Sequence, residues 1–252
     1  MLASLKNHPF AVEAFFESSM VLTYAVPKEE LVKKIPPCLE LDTFNDTWAF
    51  IAVAIVKTKA LRPKGFPPFA GNDFTLAGYR VFVRYTTWEG KRLRGLYILK
   101  SETDKRKMSF LGNIFTHYNY TRTDINLEKT GPVMKVYSEK SQLDIEVSVD
   151  YEPGLPSNSP FKNWKEARRF AGPLPFTFTY NETTKQVLII EGVRENWSPL
   201  PITVVKHQIG FVDSLQIPNI VLANAFLVQN IPYYWKKGKL EPWKKEEDSR
   251  AY

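Results

Sequence analysis

An arginine at position 80 stands in a strand-like run, AGYRVFVRY, whose two-residue companions are Gly78 and Phe82, a small residue that leaves space and an aromatic that can line it. Tyr79, Val81 and Val83 fall on the opposite face and read as ordinary packing. Further along, residues 114–123 set Phe115, His117, Asn119 and Thr121 on one strand face and Ile114, Thr116, Tyr118 and Tyr120 on the other. A strand of that pattern has no wholly apolar side, so one face must meet water, a ligand or a polar cavity. Arginine offers a bidentate fork to a carboxylate, Tyr and Asn can orient its remaining oxygens, and His117 adds a group that can act as general acid or base. The candidate ligand-binding set is therefore Arg80, Phe82, His117, Tyr118, Asn119 and Tyr120, with His117 as the candidate catalytic residue. The competing reading stands beside it: a salt-bridged Arg80, a hydrogen-bonded strand histidine and a solvated sheet edge rich in Tyr.

The elements that must position these residues are mostly strands. Residues 20–26, 39–44, 48–60, 74–85, 93–101, 114–123, 133–138, 142–151, 176–180, 186–191 and 202–212 read as strands, and 217–228 as either helix or strand. LDIEVSVDY gives the cleanest alternation. Short helices are expected at 10–16, at 28–34 behind Pro27, at 101–110 with Asp104 as cap, and at 161–170. Asn45 and Asp46 predict a tight turn, the proline-rich 62–70 excludes a central strand, and 152–160 is a loop. Many short strands with few helices favour a closed or nearly closed antiparallel sheet, mostly β in class, and eight to ten strands would leave room for one small ligand.

The bulk properties exclude several classes. With 252 residues, 44% of them hydrophobic and 14% aromatic, the chain can bury a large core. Its net charge of +7 comes largely from Lys236, Lys237, Lys239, Lys244, Lys245 and the Lys105, Arg106, Lys107 run, a dispersed pattern that reads as solvated surface and not as a nucleic-acid track. The lone Cys38 excludes an internal disulfide and reads as a buried small hydrophobe, which fits a reducing compartment. No signal peptide or long apolar span is visible, so a cytoplasmic location with no membrane partner is expected. His8, His117 and His207 lack ligand spacing, so no metal site is expected. No phosphate loop, nucleophile elbow or paired catalytic carboxylates occur, and no cofactor is implied. A homo-oligomer remains open.

The segments VPKEELVKKIPPCLELDTFNDTWAFIAVAIVKTKALRPKGFPP, AGYRVFVRY, GLYILKSETD and VRENWSPLPITVV carry a further signal. Together they resemble the domain of unknown function 2071 family, within the acetoacetate decarboxylase-like superfamily, over residues 20–235. The resemblance implies one domain spanning 1–252 with a basic tail from 236, built on a cone-shaped, largely antiparallel β-barrel around a cavity with a few peripheral helices. Acetoacetate decarboxylases use a Schiff-base lysine in a Pro-Lys-Lys motif and a cavity glutamate. The matching stretch here, IFTHYNYTR, lies in a lysine-free segment, 113–126, and Arg80 takes the glutamate's place. The expectation is a cavity that binds a small carboxylate or other anion without the decarboxylase chemistry. Two alternatives stand: a lyase or hydratase acting on small keto acids through His117 or a relocated lysine (Lys57, Lys59 or Lys100), and a non-catalytic protein-interaction module.

Overall fold

The computed structural model describes residues 5–149, 153–195 and 197–243. In chain order the elements are β1 (Val12–Pro27), α1 (Lys28–Val32), β2 (Glu40–Leu41), β3 (Trp48–Pro63), β4 (Asn72–Thr86), β5 (Arg92–Thr103), α2 (Arg106–Phe115) and β6 (Tyr120–Arg122). There follow β7 (Asn126–Thr130), β8 (Val133–Ser138), β9 (Leu143–Ser148), α3 (Trp164–Ala171), β10 (Phe176–Asn181), β11 (Gln186–Arg194), β12 (Leu200–Pro201), β13 (Thr203–Ile209), α4 (Gly210–Ser214), β14 (Val221–Trp235) and β15 (Lys239–Pro242).

The fold is mostly β. Strands β14, β1, β3, β4, β5, β10 and β11 are hydrogen-bonded in that order, and β11 pairs back onto β14, so the sheet closes into a ring. Seven strands close it, fewer than the eight to ten expected, because β2, β6, β12 and β15 pair at the margins of the ring and β7, β8, β9 and β13 form a separate four-stranded antiparallel sheet. Every junction of the ring is antiparallel except β5 against β10, where Phe176 to Phe178 run parallel to Gly95 to Tyr97.

The two faces of the central strands explain their composition. Val53 and Ile55 of β3 and Tyr79, Val81 and Val83 of β4 point outward from the ring into one large core that also takes Met134, Val136, Ile145 and Val147 from the second sheet. Ala52, Ala54 and Val56 of β3 alternate with them and face the interior. With both faces covered, residues 49–56 are all buried, and the sequence there is a continuous apolar run instead of an alternating one. Helix α3 supplies Ala167 and Ala171 to a smaller core with Phe50, Phe82, Leu96 and Phe161 at one end of the ring. Its N-terminus is fixed by Asn163, whose side chain accepts from the Glu166 amide.

Several expectations change. The 10–16 segment is no helix: β1 runs through Phe15 and Phe16 because β3 and β14 flank it and satisfy its backbone on both sides. The 114–123 run is not a strand throughout. Helix α2 continues to Phe115, Thr116 caps the last turn by donating from its hydroxyl to the Gly112 carbonyl at 2.8 Å, and only Tyr120–Arg122 pairs, in parallel with β5. Asp104 accepts from the Thr75 amide at 2.8 Å and does not cap α2. Asn45 and Asp46 do form the turn, at φ of 52° and 53°, but β2 then pairs with β4 and only Phe44 bridges to Trp48. The basic segment after 236 contributes β15, paired with β11. Asp150 and Tyr151 of the expected 142–151 strand, Glu152 of the loop, and Lys244 and Lys245 lie outside the described residues. Among the described residues no helix is long and apolar enough to cross a membrane.

Candidate functional site

All seven ring strands contribute side chains to an interior cavity of about 140 Å³, whose wall also includes the segment from Ala171 to Pro175. Its wall is mainly apolar, with Phe82, Leu96, Ile98 and Phe226 among its members, and among the described residues it holds two cations, Arg80 and Arg194, with no carboxylate and no lysine. A second lobe of about 290 Å³ lies beside it, bounded by the chain around His8 to Phe10 and by α2. The two lobes share Arg80, Tyr118 and Tyr120 as common wall.

Arg80 reaches this position by regular alternation along β4, which sets it on the same face as Gly78 and Phe82, and Gly78 gives its guanidinium room; the irregularity opposite it is in β5, where Leu99 is left out between Ile98, paired with Arg80, and Lys100, paired with Tyr79. A Cβ at 78 would stand 3.1 Å from both Nε and Nη2 of Arg80, so any larger residue there would press the guanidinium aside. The Nε is buried without a hydrogen-bond partner. Burial pushes Arg80 below its ordinary value, Arg194 lowers it further, and Tyr233, Tyr120 and Tyr118 act in the opposite direction.

Arg194 arrives by another route. It is the last residue of β11, and ring closure sets it opposite Tyr233 in register. Gly192 permits the close approach, since a Cβ there would meet the Tyr233 hydroxyl at 2.0 Å. Arg194 donates from Nη1 to that hydroxyl at 3.4 Å and from Nη2 to the Pro173 carbonyl, and its guanidinium stacks over Trp197 at 5.0 Å. Its Nε, like that of Arg80, is buried and unpartnered. Nothing in the local sequence VRENW marks it as a cavity residue.

Of the remaining candidates, Phe82, Tyr118 and Tyr120 line the cavity. The Tyr118 hydroxyl lies 2.8 Å from Thr177 Oγ1, and burial pushes its pKa up to about 12. Burial raises Tyr120 as well, so both phenols remain neutral hydrogen-bonding groups. His117 and Asn119 line neither lobe. They fall in the turn between α2 and β6, with Asn119 exposed at a φ of 51° and His117 half-buried, its pKa lowered by burial and then by Lys6. The three in-strand lysines are ion-paired: Lys57 with Glu17 at 2.6 Å, Lys59 with Asp73 at 3.0 Å and Lys100 with Glu102 at 2.6 Å. None of them lines either lobe.

His8, on the wall of the second lobe, is buried with Nε2 unpartnered, and burial lowers its pKa to about 4. The unfolded chain, titrating near 6.5, then binds more protons than the folded one between those values. Stability should be complete above about pH 6.5 and fall on the order of 3 kcal/mol as pH drops to 4 from this group alone. Urea unfolding at pH 7 and pH 4 checks this: His8→Asn, which tolerates the left-handed backbone (φ of 52°), should show the smaller loss. Equal losses in both proteins would refute the assignment.

The architecture has solved counterparts. Acetoacetate decarboxylase from Legionella pneumophila subsp. pneumophila str. Philadelphia 1 superposes with a TM-score of 0.59 at 14% identity, covering 92% of this chain and 88% of that one. An acetoacetate decarboxylase-like enzyme from Sphingomonas wittichii RW1 gives 0.58 at 9% identity, covering 94% of each chain. The enduracididine biosynthesis enzyme MppR, complexed with pyruvate, gives 0.55 at 11% identity, covering 92% of this chain and 90% of that one. At such identities the likeness establishes the fold, which is acetoacetate decarboxylase-like. No curated protein matches the sequence. The family model for DUF2071, described as an uncharacterized conserved protein, matches residues 14–225. This chain, with its closed ring of strands and arginine-bearing interior, belongs to the DUF2071 family.

Proposed function

We propose that this protein binds a small carboxylate inside the strand ring, between Arg80 and Arg194. One observation carries the reading: two guanidiniums line one cavity, each with a buried Nε that has no partner, and among the described residues no carboxylate lines that cavity. A cation buried without a counter-charge is costly, so a site of this kind is complementary to an anion supplied from outside. The neutral Tyr118 hydroxyl beside Arg80 adds a hydrogen-bonding group for the second oxygen. The volume of about 140 Å³ is close to that of a cavity able to hold benzene, roughly 150 Å³, so it suits an acid of pyruvate or benzoate size. Titration calorimetry with acetate, pyruvate and benzoate against acetamide, pyruvamide and benzamide tests it. The acids should bind and the amides should not; equal binding of acid and amide, or no binding of any acid, overturns it.

Schiff-base chemistry finds no support in the lining, because among the described residues neither lobe presents a lysine and a protonated, ion-paired lysine cannot attack a ketone. Purified protein given acetoacetate should therefore release carbon dioxide at the background rate, and release well above it would refute this part of the reading. We assign the protein to a reducing, cytoplasmic setting, supported by the lone Cys38, whose thiol burial pushes up to about 12.

A further inference from the structure

The second lobe has the wrong chemistry for the head of an anion and the right chemistry for its tail. Its wall includes Phe10, Leu61, Met108, Leu111 and Phe115, and among the described residues it carries no carboxylate or lysine. Besides the shared Arg80, its cationic members are Arg62 and His8. Arg62 is already engaged, with Glu13 at 2.8 Å, and also donates to the Phe66 and Ala60 carbonyls. His8 is held neutral near pH 7 by its burial. Water in such a space would find few partners, whereas apolar chain is favoured there by its removal from water. The lobe is the larger of the two, about 290 Å³ against about 140 Å³, and Arg80, Tyr118 and Tyr120 stand on the wall common to both.

We infer that the ligand is a monocarboxylic acid with an extended apolar chain, its carboxylate at Arg80 and its chain in the lobe beneath α2. This rests on the anion-binding reading above and adds the ligand class to it. A diacid or a short hydroxy acid would leave the second lobe without an apolar occupant, and a second charge on the chain would be desolvated there with no partner.

The test is a chain-length series on the whole protein, acetate, butyrate, hexanoate and octanoate, kept below micelle-forming concentrations and followed by calorimetry beside octanamide. Burial of each added methylene should tighten binding about fourfold until the lobe is filled. Octanamide should bind far more weakly than octanoate. Leu111→Trp, which places an indole in the lobe, should remove the gain with length, so that octanoate binds that variant no more tightly than butyrate does. Because the series on the wild-type protein stands by itself, the inference is decided even if that variant does not fold. Affinity that is flat with chain length while acetate still binds overturns this inference and leaves the anion reading intact. Failure of every acid to bind, or equal binding of acid and amide, takes down both.

Discussion

Arg80→Met is expected to raise the melting midpoint of the ligand-free protein and at the same time to remove the stabilisation that carboxylates confer. The two effects have one cause. Arg80 carries a buried charge with an unpartnered Nε and feels only tyrosines and a second arginine, so the folded state bears an uncompensated desolvation cost. Methionine fills similar space without that cost, and replacement of buried ionic groups by well-packed apolar ones is often stabilising by about 1–4 kcal/mol. A charge-assisted hydrogen bond contributes roughly 1.5–3 kcal/mol, so affinity for benzoate should fall by about ten- to hundredfold. Thermal denaturation with and without saturating benzoate reads both quantities. A variant that melts lower than the wild type and still gains the full benzoate shift would show that Arg80 is a structural group.

Asp42→Asn should be the most damaging conservative change outside the cavity. Asp42 is fully buried and contacts Arg84 at 2.5 Å and Arg94 at 2.6 Å, while its amide donates to the Phe82 carbonyl at 3.0 Å. The Arg84 contact is an ion pair without hydrogen-bond alignment, since Oδ1 has no hydrogen-bond partner; the Arg94 contact is a hydrogen bond from Nε at 2.6 Å. Arg94 also donates to the Phe170 carbonyl at 2.9 Å and lies over the Phe170 ring, so the cluster ties β2, β4 and β5 to the end of α3 that lines the cavity through Ala171. Breaking a buried pair typically costs 3–5 kcal/mol; the two arginines are 27% and 36% exposed and partly rehydrate, which brings the expected loss to about 2–4 kcal/mol. Urea unfolding should show that loss in a single transition, because we expect the ring and the second sheet, which share one core, to unfold as one domain. A loss under about 1 kcal/mol would mean the cluster adds little beyond local order.

The fold class was legible because strand signals outnumber helix signals, and the spacing of Gly78, Arg80 and Phe82 against Tyr79, Val81 and Val83 was a faithful guide to which face is which. Tyr118 and Tyr120 were legible as a pair, though not for the reason of strand alternation, since α2 and a turn bring them to the wall. The β-branched and aromatic content of 114–123 argued for strand, but Met108, Leu111 and Phe115 form an apolar helical face over the second lobe, and that packing outweighs local preference. Arg194 was invisible for a different reason. Its partner Tyr233 comes from a strand that meets β11 only when the ring closes, and no local pattern encodes a long-range register.

That closure also has a bearing on synthesis. Strand β1 pairs on one side with β3, which follows soon after it, and on the other with β14, where Val12 meets Trp235. Contacts so distant in sequence form slowly, and a polypeptide emerging from the ribosome exposes one edge of β1, with open amides and carbonyls, until β14 has been made. The ring's one parallel junction, Gly95 to Phe176, imposes a similar wait on β5. The unfinished chain is thus the species expected to aggregate, and docking of residues 221–235 is the step that covers the open edge of β1.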